Sequence, residues 1–180
     1  MLPPVNESPD INATTSFLAQ ATLPLAESGY YVVPVGVMME AFRQNGLTLP
    51  NEIQDVAPGK LREIFGSDAA LYIRITKYGT QFTVLNSVVQ VAASAKLVDL
   101  RSGQTLWTGS AFATNQNNNN SGGLIGALVG AVVKQIVNST TDAAHPVAGL
   151  AANQLLRARP NGGILFGPRS PRYGQDDAPN

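Results

Sequence analysis

The sequence predicts one α/β domain of the α+β kind, with a mixed, largely antiparallel sheet flanked by helices. Three observations carry that expectation. Residues 69–114 are rich in β-branched and alternating residues and are broken only by short glycine-containing turn signals, the pattern of consecutive antiparallel strands. Segments with apolar residues at helical spacing lie on both sides of that stretch. A chain of 180 residues fills one core of ordinary size and would strain two. Residues 1–160 are therefore expected to form the domain, and residues 161–180, rich in Gly, Pro and Asn, a C-terminal tail.

The start, Met1-Leu2-Pro3-Pro4, reads as the end of a strand over residues 2–5 whose earlier part lies upstream. Residues 16–27 place Phe17, Leu18, Ala21 and Leu25 on one helical face and stop at Ser28-Gly29, with Pro24 expected to bend or divide the helix. YYVVPV, residues 30–35, is expected to be a sheet strand, and Pro34 assigns it to an edge or a strand end. A helix VMMEAFRQ follows, closed by Asn45-Gly46 as a left-handed cap. PGKLREIF, residues 58–65, is a short helix with Leu61, Ile64 and Phe65 on one side.

Turn signals at Tyr78-Gly79-Thr80 and at Arg101-Ser102-Gly103-Gln104 divide the β-rich region into three strands. The second turn is expected to join strands that end near Leu100 and start near Thr105. Between them Val91, Ala93, Ala95 and Leu97 alternate with Ala92, Ser94, Lys96 and Val98, so residues 90–100 cannot be helical in this reading. A last helix is expected over residues 143–159.

Residues 124–133 carry no polar side chain. A membrane span needs about 20 apolar residues, so the run is too short, and neither a phosphate loop nor a dinucleotide turn matches it. Leu124, Ile125, Leu128, Val129, Val132, Val133, Ile136 and Val137 form a stripe at helical spacing, and Gly126 and Gly130 share another face with Lys134 and Asn138. Ser121 can cap that helix. Each glycine costs it roughly 1 kcal/mol relative to Ala, which is understandable if another backbone packs closely there. The neighbour is the chain's own sheet, a second helix or a second subunit. Gly126, Leu128, Gly130 and Val132 are accordingly the candidate interface of a homodimer, the commonest closed assembly.

Twelve basic and twelve acidic side chains balance, and only 13% of residues are charged. Nucleic acid is thus not expected as a partner. The absence of cysteine removes disulfides, thiolate metal sites and cysteine nucleophiles from this sequence. The single histidine, His145, follows Asp142 by three residues and precedes Pro146. With no second histidine to complete a metal site it is read as a helix-junction residue. No GxSxG motif occurs and the carboxylates are scattered, so no catalytic residue, metal or cofactor is assigned. Arg157, Arg159, Arg169 and Arg172 gather positive charge near the C-terminus. They are candidate contacts for an anionic partner or lipid head groups, against the simpler reading of a solvated tail.

The segment LVDLRSGQTLW, residues 97–107, resembles the hairpin of envelope lipoproteins related to CsgG, LpoB and the N-terminal domain of TolB. PPVNESPD at Pro3, PLAESGYYVVPV at Pro24, NGLTLP at Asn45, KLREIFGSDAALYI at Lys60, SGGLIGALVGAVVKQI at Ser121 and GPRSPRY at Gly167 together resemble a proteobacterial lipoprotein family of unknown function. That family includes a meningococcal surface-antigen candidate, and the resemblance covers essentially the whole chain. It implies a lipoprotein anchored at the periplasmic face of the outer membrane, or on the cell surface, of a Gram-negative bacterium. The signal and the lipid-bearing cysteine would lie upstream. It also implies partnership with a CsgG-like lipoprotein and a small neighbouring lipoprotein, and it supplies no active site. The leading expectation is a non-catalytic envelope assembly or secretion accessory that works by protein contact. The alternative is a solute-binding component of a transport system, which would need an apolar pocket with a few convergent polar groups.

Overall fold

A computed structural model describes residues 1–82, 87–115, 142–159 and 163–176. Its centre is a four-stranded mixed sheet in the order β1-β2-β3-β4. Strands β2 (Ala69–Phe82), β3 (Ser87–Asp99) and β4 (Thr105–Thr114) form the expected antiparallel meander. Strand β1 (Val5–Asn6) pairs with β2 in parallel, Val5 opposite Arg74. Leu2 N–H donates to Leu71 O and Glu7 N–H to Ile75 O, both at 2.9 Å, so the start of the chain does lie in the sheet.

Two expectations about the sheet are corrected. Residues 30–35 are not a strand: residues 30–34 run as irregular chain, and Pro34 becomes the N-cap of helix α2 (Val35–Gln44). The edge of β2 that such a strand would need is already held by residues 2–7, and Pro34 has no N–H to give a ladder. Nor does the chain turn at Gly79. Strand β2 continues to Phe82, with Gly79 paired to Gln90 at φ +108°. The irregularity falls instead at Thr76, where the register shifts between Ile75↔Ala93 and Lys77↔Ala92. The later turn is where it was expected: Asp99 N–H donates to Gln104 O at 2.9 Å, and Gly103 takes φ +73°.

Helix α1 (Ala13–Glu27) runs unbroken through Pro24, which removes one backbone donor near its end without dividing it. Helix α2 ends in a Schellman motif. Leu47 N–H reaches Phe42 O and Gly46 N–H reaches Arg43 O, each at 3.0 Å, with Gly46 at φ +77°. Two short helices follow, α3 (Pro50–Gln54), which the sequence reading missed, and α4 (Pro58–Phe65), each with proline in its first turn. Helix α5 (Ala144–Leu156) closes the series. The helix expected from Ser121 lies outside the described residues.

One sheet face packs against α1 and α5. Phe17, Ala21 and Leu25 meet Val147, Ala151 and Leu155 above Leu71, Ile73, Ile75 and Val91. The alanines along α5 allow the two helices to approach closely. Among the described residues the other face is covered only in part. Met38, Phe42, Ile53 and Leu61 of α2–α4 sit over Leu2, Ala70, Tyr72, Val98 and Leu100, and the rings of Phe42 and Phe65 meet edge-on at 5.2 Å. Because the small helices stop at that end, the remaining rows of this face have no cover among the described residues.

Candidate functional site

Alternation along the strands assigns the open face. The rows Tyr72–Lys96–Thr108 and Arg74–Ser94–Ser110 lie across β2, β3 and β4, on the face opposite Ile73, Ala95 and Ala93. With Asn51, Gln54 and Asp55 as one wall, Tyr72, Arg74, Ser94, Lys96 and Thr108 of these rows floor a groove of about 730 Å³. Gln54 fixes that wall, its amide donating to Pro3 O at 2.8 Å and to Ile73 O at 3.0 Å. Arg74 pairs with Glu7, and Lys96 Nζ lies 5.0 Å from the centre of the Tyr72 ring.

Beside the groove runs β4, TLWTGSAFAT, without a charge or a proline. Among the described residues no strand pairs with its outer edge. Leu106 is 46% and Phe112 50% exposed. Trp107 folds back along the strand to the helical face, and a Cβ on Gly109 would lie 2.3 Å from its ring. Position 109 is therefore glycine because the indole occupies the space above it.

The arginines singled out in the sequence come together at one end of the molecule. There α1 and α5, which run parallel, both terminate. Ser28 Oγ lies 2.8 Å from Pro24 O and from Leu156 O, and accepts from Ala158 N–H at 2.7 Å. The C-terminal segment then crosses the end of α1: Gly167 N–H donates to Ser28 O at 2.8 Å, Arg169 N–H to Gly29 O at 2.9 Å, and Tyr30 O–H to Leu165 O at 2.8 Å. Burial raises the Tyr30 phenol pKa, and the nearby Asp176 raises it further. Ile164 and Phe166 are buried beneath this segment. Arg169 stacks 4.9 Å over Tyr31 and Arg172 4.7 Å over Phe166. Arg157 and Arg159 are exposed just beyond α5, and Arg159 donates to Gln154 O at 3.3 Å. None of the four has a carboxylate within salt-bridge distance among the described residues. The candidate interface residues Gly126, Leu128, Gly130 and Val132 lie outside the described residues.

At the opposite end a polar network links α1, α5 and β2. His145 Nδ1 is 2.6 Å from Ser16 Oγ, and its Nε2 is 2.7 Å from Gln20 Nε2. Tyr78 O–H donates to Ser16 Oγ at 2.6 Å and to Asp142 at 3.3 Å. Asp142 Oδ1 also accepts from Ala144 N–H at 3.0 Å and from His145 N–H at 3.3 Å, at the start of α5. The Ser16 hydroxyl is buried and engaged from two sides, an arrangement that ties three elements together rather than presenting a nucleophile. Sequence reasoning found only the Asp142–His145 junction. Ser16, Gln20 and Tyr78 carry no signal that could have joined them to it.

Comparison with known proteins adds to this geometry. The model of the family described as "Putative lipoprotein GNA1162-like" matches residues 1–169. The putative lipoprotein NMB1124/NMB1162 of Neisseria meningitidis serogroup B is 52% identical over 169 residues, which are 94% of this chain and 79% of that protein. The crystal structure of lipoprotein GNA1162 from Neisseria meningitidis is similar with TM-score 0.62 and 53% identity, over 76% of this chain and 95% of that one. A PelC dodecamer from Paraburkholderia phytofirmans is 13% identical with TM-score 0.45, over 84% and 82% of the two chains, a likeness too distant to bear on function.

Proposed function

The chain belongs to the GNA1162-like lipoprotein family, and from that membership we propose that it is a lipid-anchored envelope protein that works by binding other proteins rather than by catalysis. In this reading it stands on the periplasmic side of the outer membrane as an assembly or secretion accessory. The observation that carries the proposal is the outer edge of β4. Natural sheets protect a long edge with charges, proline or a cover, whereas Thr105–Thr114 offers ten residues without charge or proline. Such an edge is suited to strand addition, in which main-chain hydrogen bonds supply affinity and alternate side chains supply specificity. A second copy of the chain, a CsgG-like lipoprotein and a small neighbouring lipoprotein are the partners this reading names.

A solute-binding role has weaker support. Ligand pockets are mostly apolar and enclose their occupant, while the groove beside β4 is open and floored by Tyr72, Arg74, Ser94, Lys96 and Thr108. Photo-crosslinking from position 112 in intact envelopes tests the proposal. The expected result is a discrete adduct with an envelope protein, weakened by Leu106→Lys at unchanged thermal stability. A probe at 112 that crosslinks no more than one at Glu40 on α2 would count against the edge as the contact surface.

A further inference from the structure

We propose that the end of the domain bearing Arg157, Arg159, Arg169 and Arg172 rests on the anionic head groups of the membrane that holds the protein's anchor. The inference depends on the lipoprotein reading above and adds to it an orientation and a lipid contact. Its first support is position. Met1, Tyr31, Pro168 and Arg169 line one cavity of about 390 Å³, so the point where the chain enters the fold adjoins the arginine cluster. In a lipoprotein the acyl chains lie upstream of the folded domain, so a tether entering at Met1 draws this end toward the bilayer.

Chemistry supplies the second support. Of the acids at this end, Asp68 is engaged by Arg101 at 3.1 Å and Asp176 accepts from Phe166 N–H at 2.6 Å, while Glu27 stands in the last turn of α1. Among the described residues the four arginines thus face two carboxylates, Glu27 and Asp176, that no salt bridge neutralises. Stacking on Tyr31 and Phe166 holds two guanidinium groups in place. Less side-chain freedom is then lost when they meet phosphate oxygens, which a planar guanidinium can bind through two hydrogen bonds at once. Tyr31 and Tyr173 are 67% and 63% exposed beside them. Tyrosine favours the membrane interface, where its ring and its hydroxyl meet different surroundings.

The third support is contrast. At the opposite end the His145 and Tyr78 groups are turned inward on one another. The lipid-facing end and the network end thus differ in chemistry along the direction of α1. The groove and the β4 edge lie on the flank between them, free for protein contact while the base is engaged.

Vesicle binding by the full chain is the test. Vesicles of phosphatidylcholine containing about one-third phosphatidylglycerol should bind the protein and phosphatidylcholine vesicles should not, with the difference abolished by high salt. A basic residue near an anionic surface contributes about 1 kcal/mol, or about fivefold in partitioning. Arg169→Gln with Arg172→Gln should therefore lower binding by about 25-fold, and Arg157→Gln with Arg159→Gln similarly, at unchanged melting temperature. Lys77→Gln with Lys96→Gln, on the open face, should leave binding unaltered. Equal loss from the lysine pair would overturn the assignment of this end. So would binding indifferent to phosphatidylglycerol, or an arginine dependence seen only toward an acidic protein. Acylation of the full-length precursor, followed with labelled palmitate, is scored separately. Its absence would sink the lipoprotein reading, whereas acylation without arginine-dependent vesicle binding would sink only the inference.

Discussion

Tyr78 and Ser16, 62 residues apart, share a hydrogen bond of 2.6 Å that joins β2 to α1, and His145 reaches the same serine oxygen from α5. Three elements of the main core therefore converge on one hydroxyl.

The burial of the Tyr78 phenol at this junction makes the first prediction one of pH. Burial, with the nearby Asp142 adding to it, pushes the Tyr78 phenol up from 10.0 to about 12. Between those values the folded protein keeps a proton that the unfolded chain releases. Its contribution is thus fully present below pH 10.0 and lost as pH rises through about 12. At about 1.4 kcal/mol per unit the loss is of order 2 to 3 kcal/mol. Denaturant unfolding of wild type and Tyr78→Phe should give stability curves that differ at neutral pH by about 1 kcal/mol and cross on the alkaline side, where wild type alone loses the contribution of the phenol. Curves that stay parallel would refute the role given to Tyr78.

Gly109 and Trp107 make the second. A Cβ at 109 would lie 2.3 Å from the indole, so Gly109→Ala must displace it. The expected cost is about 1 to 3 kcal/mol. Because the chain has one tryptophan, its fluorescence reports the displacement directly, and an unchanged emission spectrum would contradict the packing described.

The crossing of Gly29 and Gly167 is equally tight. A Cβ on Gly167 would lie 2.4 Å from the carbonyl carbon of Gly29, which itself takes φ +93°. Gly167→Ala is expected to lift the C-terminal segment from the end of α1. Trypsin should then cut at Arg169 and Arg172 much faster than in wild type, and equal cleavage rates would show that the segment is not held there.

Phe42 carries the smaller core. It is 1% exposed and packs edge-on against Phe65. Truncating it to Ala should cost about 3 to 5 kcal/mol, while Val37→Ala on the exposed side of α2 should stay within about 0.5 kcal/mol. Thermal melting separates them, and similar midpoints would mean that α2 does not seal that face.

Asp99 sets the fourth strand's hairpin. Its Oδ1 accepts from Ser102 N–H at 2.7 Å and from Arg101 N–H and Ser102 O–H at 2.9 Å. These bonds, that from Ser102 N–H first, lower its pKa. The turn should therefore be intact above the ordinary carboxylate range and loosen as pH falls through the lowered value. Faster amide exchange at Ser102 and Gly103 in Asp99→Ala would register the same loss at neutral pH, and unaltered exchange would argue against the carboxylate as the turn's organiser.

What the sequence by itself determined lies in signals that act over a few residues. Val91, Ala93, Ala95 and Leu97 alternate and take the helical face of β3, Ser102-Gly103 turns the chain, Gly46 ends α2, and Pro58 and Gly66 bound α4. Each depends on its neighbours in the chain, so each could be read there. What only the tertiary structure decided were competitions between distant segments. Residues 30–35 have strand composition but lost the edge of β2 to residues 2–7, and Gly79 looks like a turn but was carried through by pairing with β3. Ser16, Tyr78 and His145 meet only because α1 and α5 lie parallel on the same face of the sheet, and the same parallel arrangement brings Arg157 and Arg169 to the end where Met1 enters. A hydrogen bond or a charge cluster of that kind is a property of relative position in space, and spacing along the chain does not encode it until the sheet and its two helices have packed.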